Sequence, residues 1–283
     1  MKTLRLQLLA LALVTLFQTT SYGHSGQDTI PTTLIFKKID TLSLSLKVYK
    51  PVDFDGNKKY PAMIFFFGGG WKGGNMKQFE KQALYFASRG IVAVLADYRV
   101  ESRNKTTPFD AVADAKSAIR YLRTNSAKLN IDPDRIIASG GSAGGHLAAA
   151  ADLTKLDEPA EDRSVSSRPN ALVLFNPVFN NGPGEYGHDR IGDRYPEISP
   201  FHNIVKGAAP TIVFLGTKDK LVPVKTAELY KEKMIQSGSR CDLFLYPDQT
   251  HGFFNQGENY KNTLRQADVF LESLGYITGK PTF

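Results

Sequence analysis

The stretch Asp134–Ala151 reads DRIIASGGSAGGHLAAAA. Ile136-Ile137-Ala138 is a short apolar run with the look of a buried strand. Gly140-Gly141-Ser142-Ala143-Gly144 follows at once, and His146 to Ala151 has high helix propensity. Strand, G-x-S-x-G and helix, in that order, form the context that a nucleophile elbow requires. So tight a turn admits only small residues beside the serine, and glycine takes a positive φ without a Cβ penalty. Ser142 is expected at the exposed end of the strand. The N-terminus of the following helix, with its free N–H groups and partial positive charge, would point at the reacting centre. G-x-S-x-G also occurs by accident, so an ordinary glycine-rich turn stays open until the flanking sequence is read.

On both sides of this stretch, apolar runs alternate with helical ones. Thr33–Lys38 and Leu42–Lys50 read as strands. The second places Leu42, Leu44, Leu46 and Val48 on one face, a half-buried antiparallel pattern. Ala62–Phe67 and Ile91–Ala96 are continuously apolar, as buried central strands are. Further strands are expected at Ala171–Phe175, Thr211–Leu215 and Cys241–Tyr246. Helices are expected at Lys77–Arg89, Pro108–Asn125, Ala227–Gln236 and Tyr260–Leu274. This alternation predicts an α/β fold, a mostly parallel central sheet with helices on both faces. Ligands in such sheets bind at the carboxyl ends of the strands. Val178 to Ala209 breaks the rhythm. It is long, rich in Asn, Gly, Pro and Asp, and is expected to lie above the sheet beside Ser142 as a short loop-type cap.

The chain has 283 residues, a net charge of +7 and one cysteine. Residues 1–23 read as a cleaved secretory signal: Lys2 and Arg5, then the apolar run Leu6–Phe17, then Ser21-Tyr22-Gly23. That run is too short to span a membrane. Export to the periplasm or medium is the expectation, with residues 24–283 as one domain. Cys241 has no internal partner for a disulfide and is read as a buried structural thiol. There is no run of Lys and Arg of the kind that binds nucleic acid, so the basic charge reads as a solvated surface.

A serine hydroxyl needs a base to take its proton. Of five histidines, His251 alone follows a predicted strand directly, in Tyr246-Pro247-Asp248-Gln249-Thr250-His251-Gly252-Phe253. His24, His146, His188 and His202 read as structural or surface residues. The base needs an acid to fix its tautomer. Asp219, in Gly216-Thr217-Lys218-Asp219 after the Thr211 strand, is the candidate, and Asp248 is the fallback. The order Ser142, Asp219, His251 is that of hydrolases built on this sheet. A tetrahedral intermediate also needs donors for its oxyanion. The N–H of Ala143 is one candidate, and the Gly68-Gly69-Gly70 loop supplies others, with Gly69 and Gly70 preferred. Trp71, Tyr186 and Phe253 are candidate substrate contacts. No metal ligand set is read.

These stretches, together with Asp97-Tyr98-Arg99 and Asp132-Pro133-Asp134-Arg135, resemble the α/β-hydrolase superfamily, in its acetyl esterase and hormone-sensitive-lipase-like branch. The resemblance runs from about Ala62 to Phe254. It implies a Ser142, Asp219, His251 triad and an acyl-enzyme mechanism without cofactor. One departure stands out: the family's usual His-Gly-Gly-Gly has Phe67 in its first position here, which leaves the support of the loop unexplained. The long segment is polar, with Glu185, Asp189, Arg190, Asp193 and Arg194, and has no large apolar lid. A short-chain serine esterase is therefore expected, acting on small-molecule or oligosaccharide esters such as acetyl or feruloyl groups on carbohydrate. Two other readings stay open. An exopeptidase or acyl-peptide hydrolase shares this core but usually adds a large propeller domain. A silent relative used for binding typically lacks Ser, His or acid, and all three occur here.

Overall fold

Eight strands form one sheet in the order β1-β2-β4-β3-β5-β6-β7-β8. They are β1 (Thr32–Ile39), β2 (Leu42–Tyr49), β3 (Tyr60–Phe66), β4 (Val92–Ala96), β5 (Ile131–Gly141), β6 (Ala171–Phe175), β7 (Thr211–Gly216) and β8 (Cys241–Tyr246). The computed structural model describes residues Ile30–Phe283, and the expected signal segment lies outside the described residues. β1 and β2 run antiparallel to their neighbours, and the strands from β4 to β8 are mutually parallel. Parallel strands need crossovers, and helices supply them. They are α1 (Glu80–Ser88), α2 (Glu101–Asn104), α3 (Pro108–Thr124), α4 (Ser126–Leu129), α5 (Ala143–Leu153), α6 (His188–Ile191), α7 (Val224–Gln236) and α8 (Gly257–Ser273).

The period of two along each strand sorts side chains into two cores. On β3, Ile64 and Phe66 join the core under α3, α5 and α7, with Ala111, Leu147 and Tyr230. Met63 and Phe65 join the opposite core under α1 and α8, with Phe86, Leu264 and Phe270. Strands buried on both faces explain the continuous apolar runs at β3, β4 and β6. α3 begins as its sequence suggests: Pro108 occupies the first turn, and Thr107 and Asp110 form a reciprocal capping box.

Two details differ from the sequence expectation. β5 is much longer than Ile136–Ala138 and starts at Ile131. Pro133 has no N–H for the ladder, and the register against β3 shifts there, between the pairs Tyr60↔Ile131 and Ala62↔Ile136. The segment 178–209 is not structureless: it winds through α6 and two 3-10 turns, Gly192–Glu197 and Pro200–His202. Among the described residues, no helix is long and apolar enough to cross a membrane.

The chain leaves β3 for β4 on one side and returns to β5 on the other. This reversal is a topological switch point, where a crevice opens above the strand ends. The glycine loop after β3 and Ser142 after β5 stand on its two sides.

Candidate active site

Ser142 sits between β5 and α5 with φ +56° and ψ −119°. A positive φ is uncommon for a residue with a Cβ and marks local strain. The structure moves the strain from where the glycine argument put it. Gly140 and Gly144 are absent from the positive-φ glycines, and the strained residue is the serine itself. The glycines are required by close approach. A Cβ on Gly144 would lie 2.0 Å from the Phe66 carbonyl oxygen, and one on Gly140 would lie 2.5 Å from Gly144. The Ser142 N–H donates to Phe175 O at 2.9 Å, and the Ser142 carbonyl accepts from His146 N at 3.0 Å. The strained turn is thus held from β6 and from α5.

Asp219 follows β7 and His251 follows β8, both at carboxyl ends. Asp219 Oδ2 is 2.7 Å from His251 Nδ1. Its Oδ1 accepts the N–H groups of Leu221 at 2.8 Å and Val222 at 3.0 Å. Burial of this carboxyl would raise its pKa, but the His251 hydrogen bond and the two N–H donors outweigh burial and hold it below the usual carboxylate range. The fallback acid, Asp248, points away: it pairs with Lys218 at 2.8 Å in an exposed position.

Ser142 and His251 line one cavity of about 180 Å³ with Gly68, Gly69, Gly70, Asn176, Tyr186 and Phe254. Of the three loop glycines, Gly68 has its N–H engaged by Gln78 Oε1 at 2.5 Å. That leaves Gly69 and Gly70 as possible donors. Ala143 is the first residue of α5, where an N–H has no i→i−4 partner.

Phe67 is accommodated without its usual polar counterpart. Its ring stacks on Tyr98 with centroids 4.1 Å apart. The Tyr98 hydroxyl donates to the Phe67 carbonyl at 2.7 Å. The loop therefore hangs from Tyr98 and Gln78. From the other side the segment 178–209 reaches it. Arg190 donates to the Gly70 carbonyl, and its guanidinium lies 4.9 Å from the Tyr186 ring centroid and 5.4 Å from that of Trp71.

The expected substrate contacts separate. Tyr186 lines the cavity with Ser142. Trp71 is 2% exposed and lines instead an adjoining cavity of about 360 Å³, with Gly70, Glu101, Lys105, Thr106, Thr107 and Arg190. Phe253 packs on Tyr246, centroids 4.8 Å apart, and its neighbour Phe254 takes the place at the cavity wall. The one-residue displacement follows from the 3-10 turn Phe253–Asn255, which the sequence did not signal. His146 is buried against Trp71, edge to face at 4.9 Å. His188 and His202 bond Asn181 O and Ser199 Oγ within the cap segment. Among the described residues no cluster suited to a metal ion occurs.

Asn176 and Gln78 were not singled out from the sequence, and Tyr98 entered only through the resemblance of Asp97-Tyr98-Arg99. Asn176 had a positional signal, as the first residue after β6 at the carboxyl edge. Gln78 had none, and the role of Tyr98 was not readable, because each depends on how the glycine loop folds back on it.

Comparison with known proteins fits this geometry. The BD-FAE family profile matches residues 46–174. Esterase 2 of Thermogutta terrifontis, solved phosphoramylated by tabun, is 44% identical with a TM-score of 0.85, covering 89% of this chain and 97% of that one. Its propionate-bound form is 43% identical with a TM-score of 0.83 and covers 89% and 97%. Among curated proteins, Esterase LipC of Mycobacterium tuberculosis is 29% identical over 69% of this chain and 54% of its own length. An acetylxylan esterase of Xylanibacter ruminicola is 26% identical over 76% of this chain and 44% of its own. The chain thus spans about half the length of these two curated relatives. With a matched relative of near-equal length at 44% identity, the chain belongs to the α/β-hydrolase superfamily, in its esterase branch.

Proposed function

We propose that this protein is a secreted serine esterase that removes short acyl groups, acetyl above all, from polar alcohols such as carbohydrates. The observation that carries the reading is His251, hydrogen-bonded to the buried Asp219 carboxylate, sharing one small cavity with the strained Ser142. Asp219 accepts from Nδ1–H, so Nε2 of His251 carries the lone pair of the base. His251 takes the proton from Ser142 as its oxygen attacks the ester carbonyl. The N–H groups of Gly69, Gly70 and Ala143 receive the oxyanion. His251 then protonates the departing alcohol and activates water to release the acid. No step in this cycle calls for a metal or cofactor.

Size supports the short acyl group. The cavity's 180 Å³ is well below the roughly 300–1,000 Å³ of pockets for drug-sized ligands. It suits acetyl to butyryl groups better than feruloyl. The related Thermogutta enzyme was solved with propionate. Polarity supports the alcohol. The adjoining cavity meets the first at Gly70 and presents Glu101, Lys105, Thr106 and Thr107, donors and acceptors suited to hydroxyl groups. Export rests on residues 1–23 and would be read from the N-terminus of the protein recovered from the periplasm or medium.

The test is hydrolysis of p-nitrophenyl acetate, butyrate and decanoate, beside acetylated xylo-oligosaccharides, by wild type and Ser142→Ala. Rates should fall with chain length and vanish in the variant. A preference for decanoate would overturn the short-acyl reading, and activity surviving in Ser142→Ala would overturn the nucleophile.

A further inference from the structure

Asn176 follows β6 directly, and its side chain meets the base rather than the nucleophile. It is 1% exposed, and its φ of +36° is uncommon outside glycine. Its backbone N–H donates to Phe214 O at 2.7 Å, which pins it to β7. The side-chain oxygen accepts the N–H of Gly252 at 3.3 Å. The side-chain nitrogen lies 3.1 Å from His251 Nε2. The two ends of this amide are not interchangeable. Gly252 can only donate, so the oxygen must face it, and the NH₂ must then face the imidazole.

An NH₂ opposite Nε2 demands that Nε2 be an acceptor. Asp219, on the other edge of the ring, demands a proton on Nδ1. Both neighbours select the same neutral tautomer, the one a general base needs. The lone pair that must receive the Ser142 proton is held by Asn176, since the partners of the ring are Asp219 and Asn176 rather than Ser142. We propose that Asn176 is a positioning residue, a latch that holds His251 as neutral base in the resting site and passes its Nε2 lone pair to Ser142 when substrate enters. This rests on the serine esterase reading. Asp219 is the charged group in hydrogen-bond contact with the ring, while Lys218 and Asp248 on the adjoining turns pair with each other at 2.8 Å.

Asn176→Asp isolates the contact. Aspartate keeps the volume and keeps an oxygen for Gly252, but turns the atom facing Nε2 from donor to acceptor. A positioned base supplies about 10²–10⁴ in rate, and losing its preparation should remove on the order of 10- to 100-fold of kcat at pH 7. The loss should fall on kcat more than on KM, because the hydrogen bond changed is the one to the base. Activity should recover as pH rises. The ¹⁵N signal of His251 Nε2 should differ between wild type and Asn176→Asp, a readout that a packing role alone would not move. Asn176→Ala leaves Nε2 free and should lose less than Asn176→Asp. Wild-type kcat and pH profile in Asn176→Asp would overturn the proposal. So would equal losses in both variants with unchanged pH profiles, which would mean a packing role. Labelling of wild-type Ser142 by a fluorophosphonate tests the underlying reading separately. A labelled wild type with an indifferent Asn176→Asp sinks the latch alone, whereas an unlabelled wild type sinks both.

Discussion

His146 should make this fold acid-sensitive. Its ring is 0% exposed, and neither nitrogen has a hydrogen-bond partner. Burial pushes its pKa down from 6.5 to about 4. The Asn181 side chain and the Ile198 backbone lie close enough to favour the charged form a little, but outside hydrogen-bonding geometry. The sign follows from which state binds the proton. Below pH 6.5 the unfolded chain protonates this histidine, and the folded chain does not until near pH 4. The stability is therefore present in full above 6.5 and is lost as pH falls through that window. At pH 4.5 the loss from this residue is about 2–3 kcal/mol, a large part of the roughly 5–15 kcal/mol that holds a domain folded. Asp152 works in the opposite sense, because burial raises its carboxyl pKa, but a difference between two variants cancels it. His146→Leu removes the titrating ring and keeps the site apolar. Urea unfolding of wild type and His146→Leu at pH 7, 5.5 and 4.5 gives the comparison. The variant loses some edge-to-face contact with Trp71, so it should start lower at pH 7, and the gap should close or reverse by pH 4.5. Parallel losses in the two proteins would refute the argument.

Asp219→Asn leaves the geometry but permits the wrong tautomer of His251, and kcat on p-nitrophenyl acetate should fall by about 10⁴-fold with melting little changed. Gly70→Ala places a Cβ 2.6 Å from the Tyr186 hydroxyl at a φ of +62°. It should displace one oxyanion donor and cost about 10²–10³ in kcat, whereas an unaltered kcat would remove Gly70 from that role. Arg89→Ala would leave Asp268, whose side chain is 0% exposed, without its cation. Breaking such a buried pair costs about 3–5 kcal/mol, readable by denaturant melting, and ester turnover at 25 °C should persist in the folded fraction.

Much of the fold was legible because its central strands are buried on both faces. β3, β4 and β6 show as continuous apolar runs, and β2 shows its alternation. The candidate triad was legible for a different reason. In a parallel sheet every strand delivers its next residues to the same edge, so a polar residue just past a strand is already near the others. Ser142, Asp219 and His251 each stand within a few residues of a strand end. What the sequence withheld depends on contacts across the chain. Pro133 has no N–H for a ladder, yet β5 runs through it because Tyr60 pairs below the irregularity and Ala62 above it. Phe253 and Phe254 are equivalent as residue types, and only the 3-10 turn decides which one faces the cavity.

Phe67 shows most plainly why motif comparison alone stops short. At the level of the motif it is a missing histidine, and the loop behind it looks unsupported. In the fold the support is present but has changed kind. Phe67 contributes an aromatic face to Tyr98, and Tyr98 returns a hydrogen bond to the Phe67 carbonyl. Gln78 takes the Gly68 N–H, and Arg190 takes the Gly70 carbonyl. Each of these bonds addresses backbone, so each constrains the path of the loop whatever side chain stands at position 67. An oxyanion hole requires a fixed backbone path, because its donors are N–H groups. The loop can therefore dispense with the histidine as long as its backbone is held from β4, from the segment before α1 and from the cap. This accounts for a polar-to-aromatic change in a hydrolase loop whose Gly69 and Gly70 still line one cavity with Ser142.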